Sequence, residues 1–521
     1  MSLAIVTVSS ISSLRRLNKG RLRMKRHLLL GITLVTLAMQ SPRLLAEENS
    51  AAVAIIAAGK NGNQVQGHLD HLTNRIGPRL TGSDGLQRAC EWARESFESM
   101  GLQNATMEPW GEFPVGFNRG PATGKMVSPK PLTLQFTTNA WTAGTKGSVT
   151  GRAILAPKSM QQLESMRKDL EGAYVFMPRS NRGRTRRGGG PGDIPNGNGR
   201  RSNSRPPAVE QPVGLEEAMD PIDPTKLREV LLDAKVAGLI SSSMDELLLT
   251  GGLQNISWEK IPTVPSIQLQ KSQYDEITGM LEKGESVELN FDIRNFFRKG
   301  PIPLYNVMAD IPGTERPEEM VIVGGHIDSW DGATGATDNG AGCATTMEAA
   351  RILIASGVRP KRTIRFMLWS GEEQGLLGSM AYVKAHPELM PKISAVFVHD
   401  GGTNYVAGIG GTESMLPHFE KVFAEAKTLD EKAPFEIRKV DQILPRGGSD
   451  HVSFIQAGVP GFFWDQRGRA TYRNTHHTQY DTFDTVVPEY QEHSSIIIAL
   501  AAHGVANLDT LLPREGVRQG R

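Results

Sequence analysis

Cysteine is nearly missing from this sequence. Cys90 and Cys343 are the only two in 521 residues. Two thiols exclude a disulfide framework, and a free Cys behaves as a small hydrophobe, so both are expected to be buried. Long apolar runs are missing too. Beyond the N-terminus no segment approaches the roughly 18 apolar residues of a membrane helix, so the body is expected to be soluble, without stable membrane insertion. A basic surplus is also lacking in the body. Of the formal +2, residues 1–46 contribute +8 and residues 179–205 contribute +7, which leaves −13 for the remainder. An acidic body argues against nucleic-acid partners. The glycine-rich stretch 332–342 lacks the Lys-Ser/Thr that a phosphate-cradling P-loop needs. There are no internal repeats.

What is present falls into regions, and the length alone favours two domains. Met24-Lys25-Arg26, then the apolar Leu28–Met39, then Ala46 before two glutamates, read as an export signal over residues 1–46. The protein is expected in the periplasm or outside the cell, with an uncleaved anchor as the alternative. Met24 is an alternative start. Residues 47–115 are read as the N-terminal part of the main domain. Val65, Leu69, Leu72 and Ile76 recur at helical spacing. Gly77–Gly82 breaks that pattern, and a second helix over Leu86–Met100 ends at Gly101.

Residues 116–300 carry short β-like runs at Leu132–Phe136, Ser148–Leu155, Ala173–Met177, Gly238–Ile240 and Val287–Phe291. They read as an inserted β-rich domain. Within it, 179–211 is rich in Arg, Gly, Asn and Pro and is expected to be a disordered loop, because it has too few apolar side chains to order itself. From 301 to 515 strands and helices alternate: strand Val321–Gly324, helix 343–356, strand Thr363–Trp369, helix 374–386, strand Ile393–Val398, helix 414–428, helix 450–457, the run Phe462–Trp464, and a terminal helix Pro488–Leu512. The predicted fold class is therefore α/β, with a doubly wound, mostly parallel sheet flanked by helices.

Each apolar strand of this half ends in acids or imidazoles. Val321–Gly324 leads to His326 and Asp328, and a Gly/Ala/Thr loop then delivers Asp338. The second strand ends in Glu372 and Glu373, the third in His399 and Asp400. A late loop holds His476, His477 and Asp481. Open α/β sheets place their sites at the carboxyl ends of strands, and buried carboxylates are costly unless paired or metal-bound. The pattern points to one shared site, and imidazole plus carboxylate suits Zn²⁺. A two-metal hydrolase needs a bridging carboxylate, further ligands on each cation and one unligated carboxylate. Adjacent Glu372 and Glu373 suit a split between base and ligand. His399, His451, Asp331 and Asp450 are assigned no metal.

The ordered set His-x-Asp, Asp-Asn-Gly-Ala-Gly, Ser-Gly-Glu-Glu-Gln-Gly, His-Asp-Gly-Gly, Ser-Asp-His and His-Thr-x-x-Asp-Thr resembles the co-catalytic di-zinc exopeptidase family of bacterial leucine aminopeptidases and glutamate carboxypeptidases. The glutamate carboxypeptidase branch is the more similar, through His326–Asp331, Pro360–Thr363, Gln456–Pro460 and the His476-His477 pair. The resemblance covers 302–512 well and 65–100 loosely. It implies two Zn²⁺ per chain. His326 and Asp400 would hold one, Glu373 and His477 the other, and Asp338 would bridge them. Glu372 would be the general base and acid, and Asp328 would orient His326 from behind. His477 is favoured over His476 because it stands directly before the Thr-x-x-Asp-Thr pattern. The resemblance also implies that 116–300 is a protease-associated-like cap, although the Arg/Gly-rich stretch is foreign to that pattern. The expected activity is hydrolysis of short peptides, of carboxypeptidase or dipeptidase type, with aminopeptidase activity the near alternative. A glutaminyl-cyclase-like acyltransferase with one zinc and an inactive receptor-like protein are the more distant readings. Expected partners are a peptide substrate and, at most, a second copy in a homodimer.

Overall fold

The structure, a computed structural model, describes residues 51–179, 222–253 and 256–520. The export segment expected at 1–46 lies outside the described residues. So does the stretch 179–211 expected to be disordered, Arg179 apart. Ile55–Arg521 form one compact unit.

After a short helix, Val65–Asp70, the chain widens into a π-helical turn, His71–Ile76. A turn then leads to the helix Asp84–Ser99, whose N-cap Ser83 accepts a hydrogen bond from Leu86 N at 3.1 Å. The next element is strand β1 (Gln103–Ser128), which the sequence pattern did not foresee. It runs antiparallel to an equally long strand near residue 300, and the register slips five times along the way. Prolines account for the oversight. Pro109, Pro114 and Pro121 each lie at or inside one of those slips, where a missing N–H is tolerated. The strand survives its prolines by bulging at them.

The accessory strands follow as β2 (Leu132–Thr133), β3 (Phe136–Thr138), β4 (Val149–Leu155), β5 (Tyr174–Phe176), β6 (Gly238–Ser242) and β7 (Ser266–Leu269). β4, β5, β6 and β7 are mutually parallel. The helices Met160–Leu170, Pro224–Asp233 and Lys271–Glu282 accompany them. The region read as β-rich is thus itself α/β. β8 (Glu288–Ile311) then pairs with β4, with β1 and, at its far end, with the strand Arg362–Trp369. The boundaries expected at 115/116 and 300/301 fall inside β1 and β8. One twelve-stranded sheet therefore runs through both regions.

Its catalytic part comprises β9 (Arg316–His326), β10 (Arg362–Trp369) and β11 (Ile393–Val398), all parallel. β9 is central, and Met320–His326 are buried on both faces, as a strand between two helical layers must be. Three elements were not foreseen: β12 (Tyr405–Gly411), β13 (Glu436–Lys439) and β15 (Asp465–Arg467) make a separate three-stranded sheet. β14 (Gly461–Phe463) closes the main sheet beside β11.

Among the helices, Ala341–Ser356 stops at Gly357, whose φ of +70° suits a glycine end-cap. The helix expected from 374 begins only at Leu377, because Gly375 and Leu376 both take positive φ. The expected helix 414–428 splits into Leu416–Val422 and a turn at Ala426–Thr428. The terminal helix ends at Ala506 rather than Leu512. There Arg362 captures the carbonyls of Ala506 and Leu508 and turns the chain away. Among the described residues no helix is long and apolar enough to cross a membrane. Both cysteines are free and buried.

Candidate metal centre

β9 delivers His326 to the carboxyl edge of the sheet with its side chain only 1% exposed. Two glycines precede it because neighbours press close. A Cβ on Gly325 would stand 2.9 Å from the His399 carbonyl and from Asn339 Nδ2. The imidazole is fixed from behind. Its Nδ1 lies 3.0 Å from the Asp328 backbone carbonyl and 3.7 Å from the Asp328 carboxylate. The carbonyl is therefore the nearer orienting group. The Asp328 carboxylate instead accepts from Thr81 Oγ1 at 2.7 Å and from Glu372 N at 3.2 Å. It ties three segments together behind the site.

The loop after β9 brings in Asp338, which is 4% exposed. Asn339 anchors it. Asn339 Nδ2 donates to the His399 carbonyl at 2.8 Å, and Gly342 N donates to Asn339 Oδ1 at 3.1 Å. The end of β11 and the Asp338 loop are thereby held together, and Asp400 follows one residue later. Asp400 Oδ1 stands 3.1 Å and Asp338 Oδ1 3.3 Å from His326 Nε2.

β10 ends at Trp369, and the turn after it aims its two glutamates apart. Glu372 Oε2 is 4.0 Å from His326 Nε2, whereas Glu373 Oε2 is 3.0 Å from His477 Nε2. His477 Nε2 is also 3.0 Å from Asp338 Oδ2. The one carboxylate of Asp338 thus faces an imidazole with each oxygen. His476 Nε2 is farther from the same oxygen, at 3.7 Å, and its ring stacks on His477 at 4.0 Å.

His477 arrives on a loop, with φ of +54°, and is 33% exposed. The accessory region holds that loop. Thr250 N donates to the His477 carbonyl at 3.0 Å, and Leu249 bridges Thr478. Leu248 N donates to Gln479 Oε1 at 2.7 Å. Trp330 sets its ring edge-on to His477 at 6.2 Å.

Electrostatics follow from this crowding. Burial pulls the His326 pKa down, but Asp400, Glu372, Asp328 and Asp338 outweigh it and hold the imidazole well above its ordinary range. His477 is pushed up to about 11, where Glu373 and Asp338 outweigh burial. Burial raises Glu373 to about 7, against the pull of His477. The Glu372 carboxyl is also held well above its usual range, first by burial and then by Asp400, Glu373 and Asp450 against His326. Burial would raise Asp338 too, but the imidazoles on either side hold it well below the usual carboxylate range. Burial alone pushes His399 and His451 down to about 4, which leaves both neutral.

The donor set fits metal ions. Ligand atoms of His326, Asp338 and Glu373 all lie within 4.8 Å of one another, and so do those of Asp338, His476 and His477. Glu373 Oε1 is buried without a hydrogen bond. Buried carboxylate oxygens normally find a donor. A nest of acids that holds protons on two imidazoles would equally hold dications in their place.

The structure also brings in groups whose role the sequence did not announce. Arg79, noticed only as part of a helix-breaking turn, is fully buried beneath the His326–Asp338 loop. Tyr472 packs against His476 at a tilt, with ring centroids 4.9 Å apart. Its hydroxyl is held well above its usual pKa by burial and by Asp338 and Asp400. Asp450 is buried with neither oxygen hydrogen-bonded. Burial raises it to about 7. Asp481 Oδ1 accepts from Thr337 N and steadies the approach to Asp338. No local pattern could have found Arg79, whose partners are remote in sequence, whereas Asp450 and Asp481 stand in the Ser-Asp-His and His-Thr-x-x-Asp-Thr motifs and only their surroundings come from the fold.

Comparison with known proteins places this geometry. Residues 306–502 match the model of peptidase family M28. Carboxypeptidase Q of Bos taurus is 27% identical over 464 residues, 88% of this chain and 88% of its own length. The Homo sapiens protein of that name is 26% identical, over 89% and 90%. A probable leucine aminopeptidase of Arthroderma otae is 30% identical over 211 residues, 38% of this chain and 56% of its own. Among solved structures, a peptidase M28 precursor from Shewanella amazonensis aligns with a TM-score of 0.61 at 24% identity, covering 89% of this chain and 98% of that one. A zinc aminopeptidase from Bacillus subtilis aligns at 0.54 and 16%, covering 87% and 97%. These two similarities concern the fold.

Proposed function

From the premise that residues 306–502 form a peptidase family M28 domain and that the chain is a zinc metallopeptidase, we propose that it is an exported di-zinc exopeptidase. It acts on short peptides as a carboxypeptidase or dipeptidase. The observation that carries the two-metal reading is Asp338, one carboxylate with an imidazole at each oxygen, 3.3 Å and 3.0 Å away. Asp338 would bridge the two ions, His326 and Asp400 would complete one ion's protein ligands, and Glu373 and His477 would complete the other's. The carboxypeptidase relatives, alignable over about nine-tenths of both chains, support the terminus attacked.

When bound, zinc ions supply a water of pKa about 7 and polarise the scissile carbonyl. The chain's own residues do the rest. Glu372 carries no ligand duty in this assignment. It takes the proton of the attacking water on its carboxylate and returns it to the leaving amine. Asp328, tied to Thr81 and to Glu372 N, holds that turn beside His326. Residues 116–300 form a cap of protease-associated type, and the contacts of Leu248–Thr250 with the His477 loop support that role.

The test is zinc content per chain together with a panel of dipeptides blocked at one end or the other. The expected result is close to two zincs, with cleavage that requires a free carboxylate. A requirement for a free amine instead would make the protein an aminopeptidase. About one zinc with no peptide cleavage would favour the cyclase. No zinc, and no activity after adding it, would overturn the enzyme reading.

A further inference from the structure

Eleven residues separate His326 from Asp338, and the loop between them is built from Gly, Ala, Ser, Thr, Asp and Trp after Ile327. It contains no strand and only a short helical turn that begins at Ala336. Such a segment does not set its own shape. Yet it must return Asp338 to within 3.3 Å of His326 Nε2. Something outside the loop has to fix its ends.

Arg79 does this from 248 positions away in the sequence. Its side chain is fully buried. Among the described residues it makes no ion pair, and its donors go to backbone carbonyls. Nε donates to the Ile327 carbonyl at 2.7 Å, the residue directly after His326. Nη1 donates to Thr334 O at 2.9 Å and Nη2 to Gly335 O at 2.8 Å, three residues before Asp338. The remaining contacts, to Leu72 O and Gly77 O, root the guanidinium in its own turn. A second clasp comes from the backbone. Arg79 N donates to Ser329 Oγ, and Ser329 N donates to Arg79 O, each at 3.1 Å.

We propose that Arg79 is a positioning residue for the metal centre: its planar fork clamps both ends of the loop, so that His326 and Asp338 converge on one ion. The rigid fork is what lysine lacks, since an ammonium presents a single point of donors. The location of the cation supports the role. A buried charge is costly without compensation, and the acids around Arg79 are Asp481, Asp328 and Asp338 of the site itself.

A buried arginine can also be a plain staple of the fold, and the molecule contains one for comparison. Arg362 is equally buried at the other end of the catalytic sheet. It pairs with Glu319 at 2.6 Å and holds the carbonyls of Ala506 and Leu508. It touches nothing near the metal ligands.

The inference rests on the two-metal reading, and the experiment separates the two. The full chain is stripped with a chelator and titrated with Zn²⁺, and separately with Co²⁺ while its d–d absorption is followed. Wild type is compared with Arg79→Lys, Ser329→Ala and Arg362→Lys. Arg79→Lys is expected to bind Zn²⁺ about 10- to 100-fold more weakly, the range seen when groups behind metal ligands are lost, with an altered cobalt spectrum. Ser329→Ala, which loses the Oγ acceptor of Arg79 N but keeps the backbone half of the second clasp, shifts the same way by less. Arg362→Lys lowers the melting temperature while its metal affinity stays within about twofold of wild type, as expected of a site remote from the ligands. Wild-type affinity and spectrum in a folded Arg79→Lys would overturn the proposal. So would a loss in Arg362→Lys as large as that in Arg79→Lys. If Arg79→Lys does not fold, an unchanged Ser329→Ala overturns it. Failure of wild type itself to bind zinc would sink the two-metal reading instead.

Discussion

The two halves of the metal centre are built on different principles. On one side His326 ends a central strand, is 1% exposed, and meets Asp400 from the adjacent parallel strand. On the other side His477 stands on a loop, 33% exposed, in left-handed backbone. Its loop is hung from Leu248–Thr250 of the accessory region. The first half is a product of sheet geometry: parallel strands in register present their next residues side by side. The second has no strand beneath it and takes its geometry from a remote segment. One is rigid by construction, and the other is only as rigid as its partner.

Removing the shared group should have the largest effect, because it breaks both halves at once. Asp338→Ala is expected to lose both zincs and to drop kcat/KM by more than about 10⁴-fold, beyond what loss of a single acid–base group costs. Metal analysis beside initial rates checks it. Retention of one tightly bound zinc would mean that the halves are independent and that Asp338 does not bridge them.

Glu372→Gln sharpens the comparison differently, by sparing both halves. Roughly 10²- to 10⁴-fold should be lost from kcat, with zinc content unchanged. A near-normal rate would remove Glu372 from the base role.

The two imidazoles then test the asymmetry itself. His477→Ala should lose the zinc on its own side and keep the other, with little change in melting temperature. His326→Ala empties a buried position and should cost both metal and stability. His476→Ala should be milder than His477→Ala, since it stands 3.7 Å rather than 3.0 Å from Asp338 Oδ2. The reverse order of zinc content would move the ligand to His476.

The smallest expected effect lies in the suspension of the second half. Gln479→Ala removes the acceptor of Leu248 N. A hydrogen bond of about 1 kcal/mol corresponds to roughly fivefold in affinity. The weaker-bound zinc should therefore loosen about fivefold while the tighter one is unmoved. Equal loosening of both would show that the accessory region supports the whole centre.

The unequal legibility of the two halves follows from the same contrast. A buried apolar run closed by Gly-Gly-His-x-Asp announces a strand edge with ligands on it, and three such runs point to one sheet edge. The loop of His477 carries no such signature. The preference over His476 rested on the family pattern, and the contacts that hold it come from residue 250. The missed strand β1 is a similar case, because its prolines at 109, 114 and 121 read as breaks until the partner strand shows a bulge at each. The accessory helices went unread because attention fell on short apolar runs among Pro and Gly. The late start of the helix expected at 374–386 depended on positive φ at Gly375 and Leu376, which no periodicity displays.

By itself, then, the sequence determined the α/β alternation, the central strand and the residue types gathered at its carboxyl edge, because those depend on burial patterns within a few residues. Only the tertiary structure decided how the ligands are held. Arg79 reaches Ile327 across 248 positions, Asp338 is held at His399 through Asn339, and Thr250 supports His477. Such contacts have no local signature, since a guanidinium or an N–H finds its carbonyl only after the chain has closed around both.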